Sequence, residues 1–150
     1  TQRLTYNAGV SVAPSVAMSV SNVYVAWYDN TFGNWEIFFK RSADSGATWE
    51  ATERLTNNIG ASLNPSVGTS GSNVYVAWQD ETFSAGFGEI FLKRSSDSGV
   101  SWEATQRLTN NAGRSEVPSV AALGTKVNVA WGDDTFGNWE ILFKRGSVAV

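Results

Sequence analysis

The sequence predicts an all-β chain, a β-propeller of four-stranded antiparallel blades, about three of them in 150 residues. Three observations carry this expectation. The chain repeats itself: RLT stands at Arg3–Thr5, Arg54–Thr56 and Arg107–Thr109, V-x-V-A-W ends at Trp27, Trp78 and Trp131, and E-I-x-x-K-R begins at Glu36, Glu89 and Glu140. Equivalent residues lie 51 or 53 apart, the difference being two extra residues in one loop, in the Ser84–Gly88 region. A period of this length, filled with short strand-like runs, belongs to solenoids, arrays and propellers. Finally, the central runs are apolar on both faces, so a lone meander would leave one face in water. Blades stacked face to face bury both, whereas an open sandwich would show polar alternation on its outer faces.

Each element follows from its residues. Pro14–Val20 alternates small and apolar side chains, which suits the innermost strand, where blades crowd the axis. Asn22 and the neighbouring serines make a turn. Val23–Trp27 is β-branched and aromatic, a strand signature. Asp29–Asn34 is rich in turn formers. Glu36–Arg41 reads as a third strand, Asp44-Ser45-Gly46 as a tight turn, and Trp49–Thr56 as a fourth strand. Asn57–Gly60 then leads into the next copy. No stretch sustains a 3.6-residue period, so no helix is expected.

Composition removes whole classes of chemistry. There is no cysteine, hence no disulfide, thiolate nucleophile or cysteine-bound metal. There is no histidine, hence no Ser-His triad and no imidazole base or ligand. No cofactor is expected. The net charge is −3, and the basic residues recur at fixed repeat positions without clustering, which argues against nucleic acid. No run approaches the ~18–20 apolar residues of a membrane span, and nothing at the N-terminus resembles a signal peptide.

The turn between the third and fourth strands reads Ser42-Ala43-Asp44-Ser45-Gly46-Ala47-Thr48-Trp49, with a second copy from Ser95 through Asp97 and Gly99 to Trp102. A short Asp side chain there accepts hydrogen bonds from the turn's own backbone, Gly supplies the positive φ, and Trp packs back on the hairpin. These residues resemble the Asp-box, or BNR repeat, of sialidase-like β-propellers, and the resemblance spans essentially the whole chain. It implies that Ser42, Asp44, Gly46, Trp49, Ser95, Asp97, Gly99 and Trp102 are structural, on the propeller face away from the ligand. It also implies a secreted or extracellular setting.

The repeat boundaries divide the chain into an orphan outer strand (1–6), a first blade (13–56), a second (64–109) and a third lacking its outer strand (116–145). Thr1–Thr5 repeats Thr105–Thr109 residue for residue. Closed propellers take about 4–8 blades, and unpaired strand edges are a liability. The expected solution is a homodimer with a two-fold axis, in which Thr1–Tyr6 of one chain completes the third blade of the other. The ring would then have six blades, the number implied by the resemblance. A nine-bladed trimer and a piece of a longer propeller are the alternatives.

The second-to-third strand loops define the candidate ligand face. They bring Asp29, Phe32 and Trp35; Asp80, Phe83 and Phe87; and Asp133, Phe136 and Trp139. A carboxylate beside an aromatic platform suits a glycan; the competing reading has these rings packing between blades. Asp29, Asn34 and Glu36 fall short of the 6–8 oxygens calcium takes, so no metal is assigned. Glu36, Glu89 and Glu140 are expected to pair across strands or satisfy loop backbone.

The resemblance implies an arginine triad, a Tyr–Glu nucleophile pair and an acid/base Asp in an active sialidase, but this chain matches none of these motifs. Only Arg114 stands in a connection on the ligand face, and Tyr24 and Tyr75 have Asn128 in the third copy. The reading is a non-catalytic scaffold that oligomerises and binds glycans or protein segments. The alternatives are a glycosidase using Asp29, Asp80 or Asp133, and an engineered or excised propeller fragment without an evolved ligand.

Overall fold

A computed structural model describes residues 1–83 and 86–147, and among these every element is a β-strand. The first sheet is β1 (Ser11–Ser19), β2 (Asn22–Asp29), β3 (Glu36–Ser42) and β4 (Glu53–Arg54), in that order. The second is β5 (Ser62–Ser70), β6 (Asn73–Asp80), β7 (Glu89–Ser95) and β8 (Gln106–Arg107). The third contains β9 (Ser115–Leu123), β10 (Lys126–Asp133) and β11 (Glu140–Ser147). All neighbouring strands are antiparallel. Ser84 and Ala85 of the inserted loop, and tail residues 148–150, lie outside the described residues.

The apolar character of both faces of the central strands is used as the sequence requires. Tyr24, Ala26, Ile37 and Phe39 of the first blade pack against Val74, Val76, Trp78 and Phe91 of the second in one core cluster. On its other side the second blade turns Tyr75, Ala77, Ile90 and Leu92 toward Val127, Val129 and Trp131 of the third. The inner strands converge closely: a Cβ on Gly68 would stand 3.1 Å from the Val120 carbonyl oxygen. Small residues in the first strands therefore answer a steric demand. Polar anchors repeat across the seams as well. The Val67 N–H donates to Ser15 Oγ and the Val120 N–H to Ser66 Oγ, each at 3.0 Å. Lys93 Nζ donates to the Leu55 carbonyl at 2.9 Å and Lys144 Nζ to that of Leu108 at 2.8 Å.

Three details differ from the sequence expectation. The first strands begin earlier, at Ser11, Ser62 and Ser115, and each bulges before its proline, with Ala13, Asn64 and Val117 at φ 47°, 51° and 52°. The fourth strand over 49–56 shrinks to the two ladder residues Glu53–Arg54. Its register slips by one residue between the Glu50 N–H bond to the Arg41 carbonyl (3.0 Å) and the Phe39–Glu53 pair, so the regular ladder cannot extend through Ala51 and Thr52. The third blade's last strand, expected to stop at Arg145, continues to Ser147.

Thr1–Tyr6 forms no ladder among the described residues, yet it is placed as an outer strand flanking the first blade. Lys40 Nζ donates to the Leu4 carbonyl at 3.2 Å, as Lys93 does to Leu55. Trp49 Nε1 donates to Gln2 Oε1 at 3.1 Å, as Trp102 Nε1 does to Glu53 Oε2 at 3.1 Å. The segment occupies the outer-strand position of a blade that would precede the first.

Candidate functional site

The loop aspartates are buried rather than presented. Asp29, Asp80 and Asp133 are 1 %, 3 % and 0 % exposed, each at the end of a second strand. Each ties an interblade connection to its blade. Asp80 Oδ2 accepts from Asn58 Nδ2 (2.8 Å), Ser62 Oγ (2.9 Å) and Trp78 Nε1 (3.0 Å), and Oδ1 from the Thr82 N–H (2.9 Å). Asp133 repeats this with Asn111, Ser115, Trp131 and Thr135. Asp29 accepts from Asn7, Ser11 and Thr31, leaving the Trp27 indole N–H without a partner among the described residues. Burial raises the Asp133 pKa, but the hydrogen bonds from Thr135, Ser115 and Trp131 outweigh it and hold the value at about 2. Asp29 is lowered against the same opposing burial by Ser11, Thr31 and Asn7. Carboxylates so fully engaged are anchors, and the lowered pKa values of Asp29 and Asp133 suit those two poorly to donate a proton near neutrality.

The aromatic side chains behave differently. Phe32, Phe83 and Phe136 are 66 %, 64 % and 72 % exposed. Phe32 stacks on Phe38 at 6.1 Å, and Phe83 on Phe91 at 6.0 Å. Over each ring lies a guanidinium from the blade's own outer strand: Arg54 at 5.1 Å from Phe32 and Arg107 at 4.5 Å from Phe83. Those arginines are held by carboxylates, Arg54 Nη2 to Glu36 Oε1 at 2.8 Å and Arg107 Nη2 to Glu89 Oε1 at 2.9 Å. Glu36 and Glu89 also accept the backbone N–H of Asn58 and Asn111, at 3.1 Å each. Trp35 is half-buried with its edge against Tyr28 at 5.1 Å, and Trp139 is exposed beneath Arg114 at 4.9 Å. Phe87 is exposed in the longer loop.

These residues border clefts that recur at successive seams. One, of 420 Å³, lies between Leu4–Asn7 and a wall of Trp27, Phe32, Phe38 and Lys40. The next, of 390 Å³, lies between Leu55–Asn58 and Trp78, Phe83, Phe91 and Lys93. Leu4, Thr5, Asn7, Trp27, Phe32, Phe38 and Lys40 are matched by Leu55, Thr56, Asn58, Trp78, Phe83, Phe91 and Lys93, whereas Tyr6 stands where the second cleft has Asn57, and Arg54 lines the first cleft alone of the two. A third hollow of 500 Å³ opens on the loop face among Phe83, Phe87, Glu89, Arg107 and Asn110–Gly113. The arrangement offers stacked aromatic faces, fixed cations at the mouth and amide side chains along one wall. Among the described residues no acidic cluster has the makings of a metal site.

Sequence reasoning did not place Arg54 and Arg107 at this face, because it assigned them only to outer strands. The recurrence of an RLT arginine behind each loop phenylalanine, 22 residues from Phe32 to Arg54 and 24 from Phe83 to Arg107 across the loop insertion, was a readable signal. So was the Asn–Ser pair four residues apart ahead of each buried Asp. Tyr24 and Tyr75 are fully buried core residues whose hydroxyls find no partner among the described residues.

The Ser42–Trp49 turn is stapled through its aspartate. Asp44 accepts from the Thr48 hydroxyl (2.6 Å), the Thr48 N–H (2.8 Å) and Ser42 Oγ (2.7 Å), which together hold its pKa at about 2. Asp97 repeats these bonds with Ser101 and Ser95, and its pKa is lowered for the same reason. The indoles of Trp49 and Trp102 reach the preceding outer strand, so the turn also links neighbouring blades.

Known structures share this architecture at low identity. The Hadza microbial sialidase Hz136 superposes with a TM-score of 0.68 at 13 % identity, covering 89 % of this chain and 35 % of that one. The family 117 glycoside hydrolase Zg3597 of the marine bacterium Zobellia galactanivorans gives 0.66 at 10 % identity, covering 95 % and 55 %. Trypanosoma rangeli sialidase, in complex with sialic acid, gives 0.61 at 16 % identity, covering 91 % and 28 %. The chain thus has a sialidase-like propeller fold and spans from about a third to about half the length of these proteins. No family model and no curated protein matches the sequence. Identities this low carry the fold and leave activity to be argued from the site.

Proposed function

We propose that the chain is a non-catalytic propeller scaffold of Asp-box type that binds glycans in the clefts between adjacent blades, and that two copies form a six-bladed ring. The observation carrying the glycan reading is the repetition of one cleft, 420 Å³ and then 390 Å³, in which Trp27, Phe32, Phe38, Lys40 and Asn7 recur as Trp78, Phe83, Phe91, Lys93 and Asn58. An enzyme's centre draws different residues from different blades, whereas identical sites at successive seams suit multivalent capture. Sugar rings stack on aromatic faces and take hydrogen bonds from fixed amides and cations at the rim. Phe32→Ala combined with Phe83→Ala is expected to weaken binding of the best array-selected glycan by about tenfold or more, with an unchanged far-ultraviolet circular dichroism spectrum. Unaltered affinity in that variant would remove the cleft assignment.

A second reading, a glycoside hydrolase, is favoured by the activities named for the similar structures. It requires a carboxylate free to transfer a proton, and the repeated loop aspartates are committed to their anchors. Turnover of a fluorogenic sialoside, lost on changing one carboxylate while cleft binding persists, would establish it instead.

A further inference from the structure

The two flanks of this three-blade segment carry the two kinds of surface that meet at its internal seams. On the third blade, Ile141 and Phe143 are 80 % and 63 % exposed, although their equivalents Ile37, Ile90, Phe39 and Leu92 are at most 6 % exposed. On the first blade, Val16 is 63 % exposed, against 6 % for Val67 and 7 % for Val120. Each exposed set repeats a surface that, elsewhere in the same molecule, is buried against the other. The two open flanks are therefore complementary by the rule that already joins the first blade to the second and the second to the third.

Polar groups extend the match. At the internal blades the outer strand contributes an arginine to the third-strand glutamate (Arg54 to Glu36, Arg107 to Glu89) and a threonine hydroxyl to a third-strand N–H. That hydroxyl bond is 2.8 Å both for Ile37 N–H to Thr56 Oγ1 and for Ile90 N–H to Thr109 Oγ1. In the third blade the corresponding glutamate is Glu140, held only by Asn138 Nδ2 among the described residues. The corresponding arginine and threonine are Arg3 and Thr5. Arg3 has the bond to the Thr5 carbonyl that Arg54 and Arg107 make to Thr56 and Thr109. It makes no ion pair within the described residues, and its segment is already seated beside the first blade.

We propose that a second copy of this chain occupies both flanks, with Thr1–Thr5 of one copy serving as the outer strand of the other copy's third blade, and that Arg3 paired with the partner's Glu140 is the recognition contact. This rests on the two-copy ring proposed above and names the residues that hold it. Both side chains are exposed in the single chain, so their reversal leaves each subunit's own core intact. Charge opposition in a desolvated seam weakens association strongly, and restoring opposite charges recovers it.

Sedimentation velocity across a concentration series on the full chain is the test. Arg3→Glu and Glu140→Arg are each expected to raise the dissociation constant by about tenfold or more, and the double variant to return to within about threefold of the unsubstituted chain. A dimer indifferent to either reversal, or a double variant no better than the singles, overturns the recognition contact while leaving the ring reading standing. A chain that sediments as a monomer at every concentration overturns both. Glycan binding by that monomer would show that the clefts do not depend on the ring.

Discussion

Asp44 shows how single residues hold the repeat together. Its carboxyl has a pKa of about 2 in the folded chain against an ordinary 3.8, because the ionised form accepts three hydrogen bonds. As pH falls from about 4 to about 2, the unfolded chain protonates first and takes up more protons, so stability is lost across that window. Asp133 contributes in the same direction over the same range. Melting temperature measured from pH 6 to pH 2 is expected to fall on this acid limb, and Asp44→Asn to flatten it; an equal slope in that variant would remove the turn from the account. Asp80→Ala strands donors from Asn58, Ser62 and Trp78, and is expected to cost about 3 kcal/mol in urea unfolding. Gly60 is equally constrained, since a Cβ there would lie 2.3 Å from the Thr82 backbone nitrogen. Gly60→Ala should cost about 1–3 kcal/mol by displacing that connection, readable in the same experiment.

At the scale of elements, the central strands were legible in the sequence because their chemistry is one-sided in neither direction. Val23–Trp27 and Glu36–Arg41 read as strands, and the structure pairs them from Val23–Ser42 to Asp29–Glu36. The demand that both faces be buried correctly called for stacked blades. The outer strand was less legible: WEATERLT has strand-like composition, but the slip between Arg41–Glu50 and Phe39–Glu53 arises from how the stapled turn delivers the chain, which composition does not encode. The site was legible in part. Phe32 and Phe83 were recognised as loop aromatics, but an aspartate opening a loop looks the same in sequence whether it faces solvent or a buried cluster. The partners that decide the matter, Asn58 and Ser62, come from a connection some 20 residues upstream. The outer-strand arginines escaped notice because strand position says nothing about how far a guanidinium reaches over a neighbouring ring. Removing that reach with Arg54→Ala leaves Glu36 partly unpaired and Phe32 uncovered. Glycan affinity at that cleft, measured by calorimetry, should drop by about tenfold.

For the whole molecule, the internal seams are the pattern on which the proposed closure of the flanks rests. Every surface that buries Ile37 or Ile90 on one side and Val67 or Val120 on the other is repeated by an open surface, Ile141 or Val16. Burying a side chain such as Ile141 or Phe143 contributes about 1.5–3 kcal/mol each, so closing the seam has a driving force from apolar contact alone, with the polar anchors setting its register. The clefts inherit this logic, because each has one wall from one blade and one from the next. The most direct test of the account is the solution mass by light scattering at micromolar concentration. The account predicts two chain masses, each 16.2 kDa; a compact, cooperatively folded particle of one chain mass would contradict it.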